Sequence, residues 1–456
     1  MICYYCKKEL LYKTIFCPHC KKQVLILDSD TKKLKSIKNT FLTMRVLLTK
    51  RALLEYSKKY FERACLFNFN RKGYEYISNN NYIKAIEAYT QALNIDPSNM
   101  ETLRNRSYTY MEMGDFTNAF KDIDKAISID PSDAFNYNRK GKIFQELKDY
   151  KNALFFLNEA VRLAPNEADF YQWRSILYLE MEDYKNALKD NNEAIRLKPD
   201  FAIFYFKRGH IYREIKEFEK AYDDYSKAIE IDPSIAVIYS CRGKVSFQLE
   251  NNEDALKDIS KAIELDKNNP KYYIYRAQIY EDTEKYQNAL DDLFKVLKMD
   301  PDNSEVLYNI GKNYYKLKNY EKALIYLKEA EKFSSDEDLI YAWLANVYKE
   351  MEDYENALIN INKAIELYNN FSMFYSTRGE IYSLMNENER ALHEFNKAIE
   401  LDANISDNFY KRSIVFYILK NFNSAMNDIE EAIRLDPGNE EAIDFKKILL
   451  NWRNKK

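Results

Sequence analysis

Residues 134–167 read AFNYNRKGKIFQELKDYKNALFFLNEAVRLAPNE, and residues 168–201 read ADFYQWRSILYLEMEDYKNALKDNNEAIRLKPDF. The second stretch repeats the first at an offset of 34 residues, and the same offset superimposes residues 66–439 on themselves without an insertion. Eleven copies fit this period, with first residues at 66, 100, 134, 168, 202, 236, 270, 304, 338, 372 and 406. A fixed period of this length predicts one supersecondary unit repeated along the chain.

Three positions of the repeat are occupied by small residues. The twentieth residue is alanine in every copy, the eighth is Gly, Ser or Ala, and the twenty-seventh is alanine except for Val296. Small side chains at these positions let two helix axes approach closely. Large residues stand beside them, because the fourth is Phe, Tyr or Leu and the eleventh is aromatic except for Ser246. Each copy is therefore predicted to form two antiparallel helices.

Proline stands at the thirty-second residue in seven of the copies. Proline has no amide hydrogen and disfavours helix in the residue before it, so it ends the second helix and leads into the next copy. At the other four junctions proline is replaced by Lys267, Ser335, Asn369 and Ala403. We expect those four junctions to be looser.

The seventh and twenty-third residues of the repeat vary together. Seven copies combine Arg with an acidic residue: Arg106 and Asp122, Arg174 and Asp190, Arg208 and Asp224, Arg242 and Asp258, Arg276 and Asp292, Arg378 and Glu394, and Arg412 and Asp428. The four copies without this arginine also lack the acid. This pattern predicts a contact, and arginines that are already paired favour a structural role over a row of ligand-binding groups.

The order large, small, aromatic, alanine, large, alanine and proline across 34 residues resembles the tetratricopeptide family. The resemblance covers about four fifths of the chain, residues 66–439. It implies an all-α fold, a right-handed superhelical solenoid of helical hairpins in which each copy contacts only its neighbours. It also implies that the first helices line a concave groove and the second helices face outward.

Four cysteines lie within the first twenty residues, as Cys3-x2-Cys6 and Cys17-x2-Cys20. Two such pairs can close on one tetrahedral zinc ion, since structural zinc takes four thiolate ligands. The arrangement resembles a zinc ribbon, so residues 1–25 are predicted to be a small metal site with structural zinc as cofactor. A pair of redox dithiols and an iron site of rubredoxin type are the alternatives.

Charge is distributed unevenly along the chain. Residues 1–65 carry 15 Lys or Arg against 5 Asp or Glu, whereas the rest carries 54 against 67. Residues 26–65 are predicted to be a basic helical connector that covers the first copy, and residues 440–456 a capping helix. The sequence contains no run of eighteen apolar residues and no secretory signal at its start, so we expect a cytoplasmic protein without membrane insertion.

Residues two, five, nine and twelve of each copy are predicted to point into the groove. They include aromatic and basic groups: Phe67, Tyr74, Tyr108, Phe135, Lys142, Phe206, His210, Phe247, Tyr308, Lys312 and Tyr410. Such a surface suits an extended peptide or a helix. Family members that bind the acidic C-terminal tails of chaperones use five residues in three repeats. Here only Asn105 and Arg139 match, with Asn70, Tyr74 and Phe135 at the other places, so that ligand is not expected.

An enzyme is not expected, because His19, His210 and His393 lie far apart and no phosphate-binding glycine loop or nucleophile motif is present. The sequence instead predicts a non-enzymatic scaffold that binds a protein or peptide in the groove. The alternative is a regulatory protein that binds DNA or RNA through its basic N-terminus. Against it, the acidic repeats would repel phosphates.

Overall fold

The computed structural model describes the backbone of residues 2–3, 14–16, 23–25 and 50–453, and the side chains of residues 61–450. Three short strands, β1 (Ile2–Cys3), β2 (Thr14–Phe16) and β3 (Gln23–Leu25), form an antiparallel sheet in the order β1-β3-β2. The side chains of the four cysteines predicted to bind zinc lie outside the described residues. The chain forms two compact units, Met1–Ile231 and Asp232–Lys456.

Unit 1 contains helices from the first five copies. They are α1 (Lys50–Ser78), α2 (Tyr82–Ile95), α3 (Met100–Glu112), α4 (Phe116–Ile129), α5 (Ala134–Glu146), α6 (Tyr150–Leu163), α7 (Ala168–Glu180), α8 (Tyr184–Leu197), α9 (Ala202–Glu214) and α10 (Phe218–Ile231). From the second copy on, the first helix of a hairpin has 13 residues and the second has 14. Helix α1 is longer, with 29 residues, so the boundary expected at residue 65 lies inside one continuous helix.

Unit 2 contains the other six copies and a final helix. Its helices are α11 (Ala236–Gln248), α12 (Asn252–Leu265), α13 (Pro270–Asp282), α14 (Tyr286–Met299), α15 (Ser304–Lys316), α16 (Tyr320–Phe333), α17 (Asp338–Glu350), α18 (Tyr354–Leu367), α19 (Ser372–Leu384), α20 (Asn388–Leu401), α21 (Ser406–Ile418), α22 (Phe422–Leu435) and α23 (Glu440–Arg453). In α23, Ala442 and Leu449 are buried against the last hairpin. Each unit is thus a stack of hairpins with the predicted period.

The small residues lie where the helices of a hairpin meet. The twentieth residue has no exposed surface in any copy, and neither has any alanine at the twenty-seventh. At the eighth residue of the fifth copy, a methyl group on Gly209 would lie 2.7 Å from Cε1 of Tyr225, whose side chain is completely buried. The close approach of the two helices therefore requires these residues to be small.

A tight turn joins the two helices of each hairpin. The fifteenth residue of each copy lies in this turn and has a positive φ. The φ values are between 55° and 61°, except for Gly114 at 76°. In the third copy, the amide of Asp149 donates to the carbonyl of Phe144, which closes the end of α5. The side chain of Asp149 then caps α6 by accepting a hydrogen bond from the amide of Asn152 at 3.2 Å.

Several junctions between hairpins contain a hydrogen bond from a tyrosine hydroxyl at the fourth residue of the following copy. Tyr137 donates to the carbonyl of Pro131 at 3.0 Å. The same bond forms at three junctions without proline, where Tyr273, Tyr341 and Tyr375 donate to the carbonyls of Lys267, Ser335 and Asn369. These three junctions therefore share a contact with junctions that contain proline, and the looser connection expected at them stays a prediction.

All seven predicted arginine–acid pairs form, and the arginine also contacts the preceding hairpin. Arg208 donates to both carboxylate oxygens of Asp224 at 2.7 Å and to Oδ1 of Asn192 at 2.7 Å. Asn192 is the twenty-fifth residue of the preceding copy. In other copies the corresponding bond from the arginine is accepted by Thr90, Asn158, Ser260, Asn362 and Asn396. The arginine thus joins its own second helix to the one before.

Copies without the arginine change their partners as well. In the third copy, Nζ of Lys140 lies 2.7 Å from Oδ1 of Asp124, the twenty-fifth residue of the preceding copy. In the eighth copy, Ile310 stands at the seventh place, and the rings of Phe294 and Tyr326 pack 5.7 Å apart at the other two. The seventh, twenty-third and preceding twenty-fifth residues therefore behave as one set.

We predict that Asp224→Ala destabilises its hairpin more than Asp232→Ala does. Asp224 is 5% exposed, and its loss would leave the Arg208 guanidinium buried without its carboxylate, which costs about 3 kcal/mol. Asp232 accepts hydrogen bonds only from Ser234 in an exposed turn. Amide hydrogen exchange in α9 and α10 measures the local effect. Equal loss of protection in the two variants would contradict the structural role of the pair.

Candidate partner-binding surface

The first helices of neighbouring hairpins touch along one face through their ninth and sixth residues. In unit 1, the guanidinium carbon of Arg139 lies 4.6 Å from the ring centre of Tyr108. In the next hairpin, Nζ of Lys142 lies 2.8 Å from the ring centre of Trp173. These contacts join the ninth residue of one copy to the sixth residue of the next. We call this row of residues, within each unit, the inner face.

The inner face of unit 2 uses the same positions. Nζ of Lys244 lies 3.3 Å from the ring centre of Tyr275. Glu380 forms ion pairs with Lys411 and with Lys349, the latter at 2.5 Å. Burial alone would raise the pKa of the Glu380 carboxyl, but the two ammonium groups hold it below its usual value. Charged groups on this part of the inner face are therefore paired with each other.

Sequence reasoning did not find the sixth residue. It selected the second, fifth, ninth and twelfth, whereas Trp173 and Lys411 are sixth residues and Arg139 entered only as a partial match to the chaperone-tail pattern. A comparison of residues 31 apart would have exposed these contacts, because that is the separation of the ninth residue from the sixth residue of the next copy. The sequence signal for these contacts is weak, because the two residues form a cation–ring contact in some copies and an ion pair in others.

The residues predicted to line the groove of unit 1 differ in exposure. Phe67, Tyr74 and Phe135 expose 72%, 48% and 49% of their surface. Tyr108, Lys142 and His210 are half-buried. Phe206 is only 7% exposed, and its ring centre lies 4.5 Å from that of His210, so it packs into the hairpin and offers little surface to a partner.

In unit 2 the predicted residues Phe247, Tyr308, Lys312 and Tyr410 are all half-buried. Nζ of Lys312 lies 2.6 Å from Oε2 of Glu281. The ring of Tyr410 packs against Phe445 of the final helix, with centres 6.1 Å apart. Tyr308 lines a cavity of about 370 Å³ together with Gln278, Glu305, Asn309, Glu337 and Ile340.

Two basic side chains of α5 form no ion pair within residues 61–450, unlike their neighbours. Arg104 and Lys140 form ion pairs with Asp133 and Asp124. Nε of Arg139, in contrast, is buried without a hydrogen-bond partner in the described part of the chain. Lys142 contacts the Trp173 ring instead of an acid.

Burial and the positive charge of Arg139 lower the pKa of Lys142 to about 6, against an opposing effect of the Asp169 carboxylate. Asp169 itself lies 3.4 Å from Nζ of Lys198. Burial also lowers the pKa of the Arg139 guanidinium. Between Tyr108 and Trp173, Lys142 is therefore mostly neutral at pH 7 and becomes positive only as the pH falls to about 6.

The residues at the chaperone-tail positions bind each other. Oδ1 of Asn70 accepts a hydrogen bond from Oγ1 of Thr102 at 2.8 Å. Nδ2 of Asn105 donates to the hydroxyl of Tyr74 at 2.8 Å. These amides are therefore engaged within the stack.

Two searches of the described residues bear on other kinds of site. Within residues 61–450, His, Cys, Asp and Glu side chains nowhere form a group that could hold a metal ion. The described helices include none with the length and apolar character needed to cross a membrane.

Family models of the tetratricopeptide repeat match most of the hairpins. The ranges described as tetratricopeptide repeat are 102–133, 136–167, 168–201, 202–235, 280–347, 339–371 and 374–405, and one described as TPR repeat is 73–114. Together they cover more than half of the chain, and six of the eight ranges begin within the first three residues of a copy. The stacked hairpins define a helical-repeat protein. The chain belongs to the tetratricopeptide-repeat family, which confirms that prediction.

One solved structure supports the fold, and two others are similar at lower TM-scores. A tetratricopeptide repeat protein from Parabacteroides merdae is 17% identical, with a TM-score of 0.50 over 55% of this chain and 98% of its own. Yeast Tom70 is 17% identical, with a TM-score of 0.43 over 85% of this chain and 96% of its own. The Cut9–Hcn1 hetero-tetramer of the APC/C matches with 14% identity and a TM-score of 0.44, over 87% of this chain and 99% of that one. No curated protein matches the sequence.

We predict that Lys142→Met stabilises unit 1. The unfolded chain binds a proton at this lysine up to its ordinary pKa, whereas the folded chain does so only below about 6. Stability of the natural protein therefore rises with pH across that interval, and removing the lysine removes the penalty. At neutral pH the gain should be about 1–3 kcal/mol, and it should shrink as the pH approaches 10.

Thermal unfolding at several pH values measures this effect. Lys312→Met is the matched control, because Lys312 also stands at the ninth position but pairs with Glu281. That variant should lose stability, since the carboxylate is left without its ammonium partner. A lower melting temperature for Lys142→Met at pH 7 would contradict the prediction.

Proposed function

We propose that this protein is a non-enzymatic scaffold that binds segments of partner proteins along the inner face of its first helices. Tetratricopeptide repeats generally mediate protein–protein interactions, and the fold is typically a scaffold without catalytic activity. The observation that carries the proposal is the row of exposed and half-buried rings and cations on the inner face of unit 1. Such a surface suits an extended peptide or a helix.

The contacts within the stack support this assignment. The seven arginines at the seventh position are occupied by acids of their own hairpins, so they do not form a second binding row. Phe67, Tyr74 and Phe135 lie on first helices and keep about half or more of their surface exposed. Aromatic side chains supply large contact area at low entropic cost, which makes them effective anchors for a partner.

Site-specific photo-crosslinking in the full chain tests the proposal. Position 135 lies four residues before Arg139 and thus on the same face of α5, so benzoylphenylalanine there probes the inner face. At position 155 it probes the second helix of the same hairpin, where Phe155 is 62% exposed. We expect protein adducts at position 135 and few at position 155. Adducts at position 155 alone would contradict the proposal. Purification of the full chain mainly with nucleic acid, lost when residues 1–49 are deleted, would contradict it as well.

We also propose that Cys3, Cys6, Cys17 and Cys20 bind structural zinc, with a cytoplasmic location where thiols stay reduced. The spacing of the two cysteine pairs supports this part of the proposal. Metal analysis of the purified protein should give about one zinc per chain, lost in Cys17→Ser. Protein purified without zinc, whose helices unfold at the same temperature with and without added zinc, would contradict it.

A further inference from the structure

The cavity of unit 2 lies on the inner face, beside the first helices of the seventh to ninth copies. Gln278 and Asn309 line it from the ninth and sixth positions of successive copies, which are the positions that define this face. Its volume of about 370 Å³ falls within the range of ligand sites and far exceeds the share of about 30 Å³ that one water occupies. The cavity can therefore take one long side chain of a partner.

The two carboxylates that line this cavity have no positive partner among residues 61–450. The side chains of Glu305 and Glu337 form neither an ion pair nor a hydrogen bond there, and no lining residue is basic. Other acids of the inner face do have cations, since Glu281 pairs with Lys312 and Glu380 holds two lysines. The electrostatic complement of the cavity is therefore a cation from outside the hairpins.

The hydroxyl of Tyr308 experiences this negative charge directly. Burial raises its pKa, and so do the carboxylates of Glu281, Glu337 and Asp338, whereas a hydrogen bond with Trp343 acts in the opposite direction. Three negative groups thus act on one half-buried ring in the wall of the cavity. A cation placed on that ring would be attracted both by the carboxylates and by the face of the ring.

Helix dipoles explain why acids stand here, but they do not neutralise them. Glu305 lies in the first turn of α15, and Glu337 directly precedes α17, where negative charge is favourable. The side chain of Glu337 forms no capping hydrogen bond with the helix that follows. Its carboxylate therefore keeps its acceptor oxygens for a donor from a partner.

An organic cation fits this cavity better than a metal ion. Across residues 61–450, His, Cys, Asp and Glu side chains form no group suited to a metal. The cavity instead combines a ring and two carboxylates with the amides of Gln278 and Asn309, whose side chains make no hydrogen bond in the described part of the chain. A guanidinium offers five N–H donors to such acceptors and also stacks on aromatic rings, whereas an ammonium group offers three.

We propose that this cavity binds the side chain of an arginine in a segment of the partner protein, with its guanidinium on the Tyr308 ring and within reach of Glu305 and Glu337. This inference rests on the proposed scaffold function and names the residue that unit 2 recognises. Leu339 also lines the cavity and is 37% exposed, so it offers a contact for an apolar neighbour of the arginine. Charge-assisted hydrogen bonds beside buried apolar area supply both orientation and affinity.

Tryptophan fluorescence tests the inference in the full chain. In a Trp173→Phe, Trp452→Phe background, Trp343 is the only tryptophan, and its side chain interacts with the Tyr308 hydroxyl. The probe is an acetylated and amidated Gly-Leu-Arg-Leu-Gly peptide. Its counterpart is the same peptide with citrulline in place of arginine, which keeps the shape of the side chain and removes the charge.

We expect a saturable change of Trp343 fluorescence with the arginine peptide and an affinity about tenfold weaker for the citrulline peptide. Glu305→Gln and Glu337→Gln should each weaken binding of the arginine peptide by a similar factor. Both residues are exposed, so these variants should fold normally.

Glu321→Gln is the matched control. Glu321 is an exposed acid in the first turn of α16, in the same copy as Glu305, and it forms no ion pair within residues 61–450. Its replacement removes the same charge at the same kind of position and should leave binding of the arginine peptide unchanged. Equal weakening by Glu321→Gln and Glu337→Gln would overturn the inference, because binding would then depend only on net charge.

Equal affinities for the arginine and citrulline peptides would also overturn it, as would the lack of a saturable fluorescence change with the arginine peptide. Self-association of the chain that the arginine peptide disrupts would assign the cavity to a basic segment of a second copy and would reject the partner protein. The scaffold function is judged separately by the adducts at position 135. Protein adducts there, together with equal peptide affinities, would reject the arginine site alone, whereas a lack of protein adducts would reject the scaffold itself.

Discussion

The close approach of the two helices in each hairpin is the contact on which the other interactions depend. The alanine at the twentieth position has no exposed surface in any copy, so the two helices of each hairpin meet at its methyl group. Glycine at the eighth position faces the twenty-fourth residue of its own copy, which is a ring at Tyr89, Tyr225 and Phe395 and an aliphatic side chain at Leu157 and Ile259. A Cβ atom at these glycines would lie about 3 Å or less from that side chain, so the close packing of the helices depends on its absence.

The arginine at the seventh position converts this hairpin into a stack with a defined register. Arg208 holds Asp224 of its own hairpin and Asn192 of the preceding one, so a shift of either hairpin breaks a buried charged contact. A buried ion pair adds little net stability, because desolvation offsets the attraction. Its value lies in excluding other arrangements. In the eighth copy the corresponding contact between hairpins is apolar, because Phe294 and Tyr326 stand where other copies have polar partners.

Much of this could be predicted from the sequence, because eleven copies act as internal comparisons. The period, the hairpin, the buried alanines and the arginine–acid pairs all follow from residues that vary together within one copy. Asn192 was missed, since it is uncharged and belongs to the preceding copy. The long α1 was missed because residues 50–65 do not follow the repeat, although a helix runs through them into the first copy.

The turn inside each hairpin was also hidden from the sequence. A residue with positive φ is usually glycine, yet Lys148 and Glu182 have φ values of 58° and 57°. A left-handed conformation costs a residue with a side chain about 1 kcal/mol. The packing of the two helices and the capping by Asp149 or Asp183 offset that cost. Tertiary contacts set this conformation, and local preference does not reveal it.

The third copy shows how a stack can hold buried basic side chains that form no ion pair within residues 61–450. It holds the unpaired Arg139 and Lys142, and it also lacks the arginine–acid pair, with Lys140 and Phe156 at those two positions. Stacked rings compensate on its other side, because Phe144 lies 4.8 Å from Phe120 and 5.4 Å from Phe156. Each hairpin contacts only its neighbours, so a local penalty need not spread through the array. The third copy is thus held by aromatic packing and by Arg174 of the next hairpin, which donates to Asn158.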